Sequence, residues 1–134
     1  CVFLSKSKFR KIICIFNVIQ NKNLIKTKMP HKHIDSHSFK EKMQNEEYVI
    51  LDVRTPEEHN DKKIAHSMQL DFYAADFQAQ LEKLDKNKVY LVYCRSGNRS
   101  GQTMDMMKNM GFDEVYNLDN GIIGWEANNL EFVK

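Results

Sequence analysis

The chain has 134 residues, of which 42% are hydrophobic and 28% are charged, and its formal net charge is +2. This length suits one small folded domain, and no second domain is needed. No apolar run approaches the roughly 20 residues that a membrane span requires, so we expect no firm membrane association.

Charge is divided unevenly along the chain. Residues 1–33 hold eight of the 20 Lys and Arg residues and no Asp or Glu, whereas residues 34–134 hold 12 bases and all 18 acids. The first segment therefore carries about +8 and the second about −6. This division predicts a basic extension over residues 1–33, disordered or a gene-model artefact, followed by one domain over residues 34–134.

The extension has some features of a secretory signal. The basic segment Lys6–Lys11 precedes the apolar run Ile12–Ile19, which is the order of charges found in such signals. Asn17 interrupts the run, and no small-residue cleavage pattern follows it. We interpret residues 1–28 as an upstream extension before a start at Met29, with a targeting or membrane-surface segment as the alternative. The expected location is the cytoplasm, or outside it if the segment is a genuine signal.

Three histidines, His31, His33 and His37, cluster at the end of the extension. They have no cysteine or paired carboxylates nearby, so we interpret them as solvent-exposed residues of a mobile stretch and predict no metal site. Cys94 is the only cysteine in the predicted domain, which excludes an internal disulfide bond and favours a reducing compartment. We expect no cofactor, and no fold motif indicates a nucleic-acid partner.

The hydrophobic pattern then alternates between strands and helices. Continuous apolar strands connected by helices are typical of an open parallel sheet with helices on both faces, a three-layer α/β/α arrangement with right-handed crossovers. The predicted elements are a helix opened by a capping box at Ser38–Glu41 and ending near Gln44 or Asn45, a strand Tyr48–Val53, a turn at Pro56, a strand Ser67–Leu70, a helix Tyr73–Leu84, a strand Val89–Tyr93, a helix Ser100–Met110, a strand Glu114–Asn117 and a helix from Gly121.

Cys94 lies between the predicted strand Val89–Tyr93 and the predicted helix Ser100–Met110. A thiol at such a junction meets unpaired backbone N–H groups and the positive end of a helix dipole, and both favour the thiolate. Arg95 and Arg99 flank it, and such surroundings can lower a cysteine pKa from about 8.5 to roughly 3.5–7.5. We therefore predict that Cys94 is a nucleophile, since a buried structural thiol would not explain the paired arginines.

The residues between the two arginines predict an anion-binding loop. Ser96, Gly97 and Asn98 are small or tolerate left-handed backbone conformations, so consecutive N–H groups can point inward. Arg99 would close this loop as a fixed charge.

Three segments in order, Asp52–Glu58, Cys94–Ser100 and Asn117–Trp125, carry a family resemblance. They resemble the signatures of the single-domain rhodaneses, sulfurtransferases that carry a sulfur atom as a cysteine persulfide, and the similarity covers roughly residues 34–134. The resemblance implies a rhodanese-like fold and a persulfide on Cys94. It further implies that Arg95 binds the donor. From the residues themselves we expect the loop through Ser100 to hold the anion with the support of Arg99. We also expect Asp52 and Arg54 to form a structural network below it, since an Asp-Val-Arg turn at a strand end can bind backbone as well as side chains.

One segment and one further position depart from the family pattern. Lys63–Leu70 stands where the family usually has His-Ile-x-Gly-Ala-x-Asn-Ile, and the histidine, glycine, alanine and asparagine of the family pattern are all replaced in this chain. Asn120 stands where a second glycine is common, a mild change because asparagine tolerates positive φ. The first departure bears on local geometry and partner choice rather than on sulfur chemistry.

The expected activity is transfer of sulfane sulfur from a small-molecule donor such as thiosulfate to cyanide, a thiol or a protein acceptor. One alternative is a persulfide carrier or binding module with little turnover. Another is a phosphatase or arsenate reductase of the same fold. The Cys-x4-Arg loop from Cys94 to Arg99 is one residue shorter than the Cys-x5-Arg loop of those phosphatases, and it suits a terminal sulfur better than a phosphate.

Overall fold

The computed structural model describes residues 30–134 of the chain. Its centre is a five-stranded parallel sheet with the strand order β1-β5-β4-β2-β3. The strands are β1 (His31–Ile34), β2 (Val49–Asp52), β3 (Met68–Gln69), β4 (Val89–Tyr93) and β5 (Glu114–Leu118), and the helices are α1 (Ser36–Lys42), α2 (Pro56–Asp61), α3 (Phe77–Glu82), α4 (Asn98–Asn109) and α5 (Gly121–Ala127).

Strand β4 lies between β2 and β5 and buries side chains on both of its faces. Tyr90 and Val92 pack in a cluster with residues of α3 and α4, whereas Leu91 and Tyr93 pack in a second cluster with residues of α1 and α5. This alternation follows from the period of two in a strand. The predicted three-layer α/β/α fold is thereby confirmed.

The first helix begins earlier than predicted. Asp35 caps it, because its Oδ1 accepts a hydrogen bond of 2.8 Å from the Ser38 backbone N–H. The capping box predicted at Ser38–Glu41 is therefore wrong. Two capping patterns overlap in this segment, and with Asp35 as the N-cap, Phe39 lies in the second turn of the helix and is fully buried.

The segment predicted as a turn at Pro56 is a helix, α2. Thr55 is its N-cap, Glu58 completes a capping box with Thr55, and the proline occupies the first turn, where its missing N–H costs nothing. The helix places Glu58 near the loop that follows β4.

Strand β1 lies within the stretch that was expected to be mobile. It pairs in parallel with β5 along its whole length, and the His31 ring hydrogen-bonds to the Phe112 carbonyl oxygen at 2.8 Å. The folded unit therefore begins before residue 34, the predicted start of the domain. His33 and His37 are exposed. The interpretation of residues 1–28 lies outside the described residues.

Residues 30–134 contain neither a metal-binding cluster nor a membrane-spanning helix. No three His, Cys, Asp or Glu side chains are grouped so that they could hold a metal ion. No helix in this range is long and apolar enough to cross a membrane.

Candidate active site

Cys94 directly follows β4, at the carboxyl edge of the sheet, where open α/β sheets bind their ligands. The Gly97 N–H donates a hydrogen bond of 3.1 Å to the Cys94 Sγ, and the Ser100 hydroxyl donates one of 3.3 Å. Burial raises the pKa of the Cys94 thiol, but hydrogen bonds from the Ser100 hydroxyl and from backbone N–H groups of the loop outweigh it and hold the pKa below its ordinary value of 9.0. The site therefore stabilises the thiolate relative to that of an ordinary cysteine.

The loop after Cys94 has the shape of an anion-binding nest. Gly97 is the N-cap of α4 and adopts the left-handed conformation, with φ 101°. Ser96 and Asn98 do not need that conformation, since neither has a positive φ. The backbone N–H groups of Ser96, Gly97 and Ser100 all lower the pKa of the sulfur, as the N–H groups of such a nest do for a bound anion.

The segment Asn117–Trp125 holds this loop from the neighbouring strand. The Ile122 N–H donates to the Cys94 carbonyl oxygen at 3.0 Å, and the Ile123 N–H donates to the Arg95 carbonyl oxygen at 3.1 Å. These N–H groups lie in the first turn of α5 and have no partner within their own helix. The loop and α5 thus satisfy each other's backbone groups.

Asn117 adds a side-chain link. Its buried amide group donates to the Gly97 carbonyl oxygen at 3.3 Å and to the His33 Nδ1 at 2.8 Å, so it joins β1, β5 and the loop. Asn120, the departure from the family pattern, has φ −101°. The substitution is mild because no positive φ is required there, and not because asparagine tolerates one.

The two arginines of the loop have different surroundings. Arg99 donates from both terminal nitrogens to the Glu58 carboxylate, at 3.0 and 3.2 Å, and its guanidinium carbon lies 5.5 Å from the centre of the Tyr73 ring. Arg95 is exposed, and within residues 30–134 its side chain has no ion-pair or hydrogen-bond partner. Arg95 is therefore available to an incoming anion, whereas Arg99 is held in place.

Sequence analysis missed Glu58 as a residue of the site. Hydrogen bonds from Arg99 lower the pKa of Glu58 to about 2, against a smaller opposing effect of burial and with help from the Thr55 N–H. The Thr-Pro-Glu-Glu pattern at residues 55–58 signals the capped helix, but it carries no information about a partner 41 residues away.

Asp52 and Arg54 form a buried ion pair at the end of β2. The Arg54 Nε and Nη2 donate to the two carboxylate oxygens of Asp52, at 2.9 and 2.8 Å. The Tyr93 hydroxyl also donates to Asp52, at 2.9 Å, and His59 contacts the same oxygen. Burial and the Asp52 charge both raise the pKa of Tyr93, so it stays a neutral donor. Because Tyr93 precedes Cys94, this network fixes the backbone that carries the thiol.

Two surface grooves lie elsewhere. Their volumes are about 440 and 480 Å³, and both are lined by Tyr48 and Val49 at the amino end of β2; the first also reaches the amino end of β4. Neither is lined by a cysteine, and both lie at the sheet edge opposite Cys94. The chemistry therefore identifies the site better than the size of the grooves does.

Comparison with known proteins identifies the family. The family model described as a rhodanese-like domain matches residues 35–128. A sulfurtransferase of Allochromatium vinosum is 34% identical over 101 residues, which cover 75% of this chain and 92% of the relative. The thiosulfate sulfurtransferase GlpE of Coxiella burnetii is 34% identical over 99 residues, which cover 74% and 91%. The chain belongs to the rhodanese-like family.

Two further matches show how widely this domain is used. A crystal structure of a rhodanese-related protein from Thermoplasma volcanium has a TM-score of 0.67 and 26% identity, over 76% of this chain and 97% of that one. A tRNA uridine(34) hydroxylase of Cytophaga hutchinsonii is 31% identical over 105 residues, but these cover 76% of this chain and only 34% of the relative. The domain therefore also occurs within larger proteins that bear other names.

Proposed function

We propose that this protein is a sulfurtransferase that carries sulfur as a persulfide on Cys94. In the first step the Cys94 thiolate attacks the sulfane sulfur of an anionic donor such as thiosulfate. A bond forms between the two sulfurs, the bond between the sulfane sulfur and the sulfonate sulfur breaks, and sulfite leaves with the bonding electron pair. The product is the Cys94 persulfide anion, and no proton needs to move.

In the second step a nucleophile, such as cyanide or a thiolate, attacks the terminal sulfur of the persulfide. The sulfur–sulfur bond breaks, Cys94 regains its thiolate, and the acceptor leaves as thiocyanate or as a new persulfide. The loop N–H groups would hold the persulfide anion as they hold the thiolate, and Arg95 would attract the anionic donor.

The observation that carries this proposal is the hydrogen-bonded Cys94 sulfur. Two donors contact it directly, and its pKa is lowered although the side chain is only 1% exposed. A sulfur buried so deeply favours a donor whose reactive atom is a single terminal sulfur. The match to relatives named as sulfurtransferases supports the same chemistry.

The phosphatase alternative has less support from the geometry. A phosphatase needs loop cations that are free to bind the equatorial oxygens of a phosphate. Here both terminal nitrogens of Arg99 are already bound to the Glu58 carboxylate. The Cys-x4-Arg spacing of the loop is also one residue shorter than in those enzymes.

The test is the intact mass of the protein after incubation with thiosulfate. A persulfide adds about 32 Da, and cyanide should remove that mass while it releases thiocyanate. Cys94→Ser should abolish the adduct, whereas Cys1→Ser and Cys14→Ser, the matched controls, should retain it. An adduct that survives in the Cys94→Ser variant would refute the proposal.

The same measurement separates an enzyme from a carrier. Steady formation of thiocyanate over many turnovers would support the enzyme. Stable loading with negligible turnover would support a persulfide carrier that delivers its sulfur to a dedicated partner.

A further inference from the structure

Glu58 connects two parts of the chain that are far apart in sequence. It lies in the first turn of α2, and its carboxylate binds the Arg99 guanidinium in the first turn of α4 through two hydrogen bonds, of 3.0 and 3.2 Å. The side chains of Arg99 and Glu58 are 15% and 29% exposed, so solvent screens this pair only in part.

Several contacts give the pair a fixed geometry. Glu58 also accepts hydrogen bonds from the N–H and the hydroxyl of Thr55, at 3.0 and 3.2 Å. On the other side, the backbone carbonyl of Arg99 accepts a bond of 2.8 Å from the Thr103 hydroxyl, and the Tyr73 ring lies beside the guanidinium. The Glu58 carboxylate is therefore held by the cap of its own helix, and the Arg99 guanidinium is held by the Tyr73 ring.

We propose that Glu58 is a positioning residue that sets the charge beside Cys94, by holding Arg99 in place and neutralising it. Recognition of an anionic donor then depends on Arg95. The role in donor recognition rests on the proposed sulfur transfer, whereas the effect of Glu58 on the pKa of Cys94 can be tested without it. Glu58 remains ionised at working pH, since its pKa is about 2.

The sign of the effect follows from electrostatics. A negative charge near a thiolate raises the cysteine pKa, and a positive charge lowers it. The charges of Arg99 and Cys94 interact, since the Cys94 thiolate is among the groups that raise the pKa of Arg99. Glu58→Gln removes the negative member of the pair and leaves Arg99 as an uncompensated cation in that interaction. The pKa of Cys94 should then fall by about 0.5 to 1, and the KM for thiosulfate should fall roughly two- to fivefold because a second cation becomes available.

The experiment measures the rate at which iodoacetamide alkylates Cys94 as a function of pH, with the site followed by peptide mass. Glutamine preserves the size of the side chain, and its amide oxygen can still accept from Thr55. Glu57→Gln is the matched control, because Glu57 is exposed in the same helical turn and has no bond to Arg99. An unchanged or raised pKa in Glu58→Gln would overturn the proposal, as would an equal fall in Glu57→Gln.

A second variant tests the same pair with the opposite sign. Arg99→Gln leaves the Glu58 carboxylate uncompensated, so the pKa of Cys94 should rise. In the double variant the two shifts should largely cancel, which shows that Glu58 acts through Arg99. A pKa that stays unchanged or falls in Arg99→Gln would refute the proposal even if Glu58→Gln failed to fold.

Alkylation needs no sulfur donor. If the wild-type protein transferred no sulfur but the pKa shifts occurred as expected, the proposed function would fail and the role of Glu58 would stand.

Discussion

The α-carbon of Gly97 faces the backbone of Asp119 so closely that a Cβ on residue 97 would lie 2.0 Å from the Asp119 carbonyl oxygen. Gly97 also has φ 101°, which residues with a side chain rarely adopt. The active-site loop is therefore seated against the turn between β5 and α5, and two independent constraints require glycine at this point.

Replacing Gly97 by alanine should displace the loop. The carbonyl of Asp119 is backbone and has little freedom to move, so we expect loss of at least 2 kcal/mol of unfolding free energy and of most sulfur transfer. Gly111→Ala is the matched control, because Gly111 has φ 92° but nothing within 4 Å of the added carbon. It should cost only about 1 kcal/mol and leave transfer intact. Urea unfolding measures the first quantity, and equal effects of the two changes would contradict this account.

Ser100→Ala should move the pH dependence of the thiolate upward. The change removes the hydroxyl donor at 3.3 Å from the Cys94 Sγ, so the pKa of Cys94 should rise and the thiolate fraction at neutral pH should drop. The rate at which iodoacetamide alkylates Cys94, measured between about pH 5 and about pH 9, gives the pKa of the thiol as the midpoint of the curve. Thr103→Val removes another buried hydroxyl of α4, one that bonds to a carbonyl rather than to the sulfur. A midpoint that moves equally in both variants would show that Ser100 has no specific effect.

Arg95→Ala should chiefly raise the KM for thiosulfate. Arg95 is exposed beside the thiol, and its charge attracts the dianionic donor in the ground state and the transition state alike. We expect a rise of roughly tenfold with a smaller change in kcat, and a weaker dependence of KM on salt. Lys88→Ala removes the same charge at the opposite edge of the sheet and should change neither constant. A lowered kcat with an unchanged KM would assign Arg95 to the chemical step instead.

Strand β4 and the loop after it could be predicted because their signals are local. Five consecutive apolar residues buried on both faces predict the strand with correct ends at Val89 and Tyr93, and Gly97 marks the turn. Strand β1 could not be predicted in the same way. Its sequence, His31 to Ile34, is polar, and an edge strand with exposed side chains has no hydrophobic alternation to reveal it.

The cause of the lowered Cys94 pKa was predicted only in part. The two neighbouring arginines drew attention to the thiol, but the hydrogen bonds that lower its pKa come from Ser100 and the loop backbone. Arg99 instead forms an ion pair with Glu58. Two residues that are 41 positions apart leave no periodic pattern in a single sequence. Local chemistry was therefore accessible from the sequence, whereas long-range pairing was not.

His66 should be a point of strain that glycine relieves. It has φ 67° and stands where the rhodanese pattern has glycine. His66→Gly should stabilise the protein by about 0.5–1 kcal/mol, the cost of a left-handed residue less the added backbone entropy. Asn129, with φ 60°, is the matched control, because asparagine tolerates this region and Asn129→Gly should gain less. Urea unfolding measures the free energy of unfolding of each variant. A destabilised His66→Gly variant would mean that the histidine side chain itself stabilises the fold.

The boundary of the folded unit can be tested with two truncations that differ by five residues, 30–34. A chain that starts at Met29 keeps β1 and the bond between the Pro30 carbonyl and the Val115 N–H, so its Tm should stay within about 3 °C of full length, with full sulfur transfer.

A chain in which Met precedes Asp35 lacks β1, although it retains every residue that matches the family model. It loses the pairing with β5 and the hydrogen bond from His31 to Phe112, and it leaves β5 as an unprotected edge. Its Tm should fall by at least about 10 °C, which corresponds to roughly 2 kcal/mol for a domain of this size. Thermal unfolding by circular dichroism compares the two chains. If both matched full length, β1 would contribute nothing to stability, and if both were destabilised, residues before Met29 would have to pack on the domain.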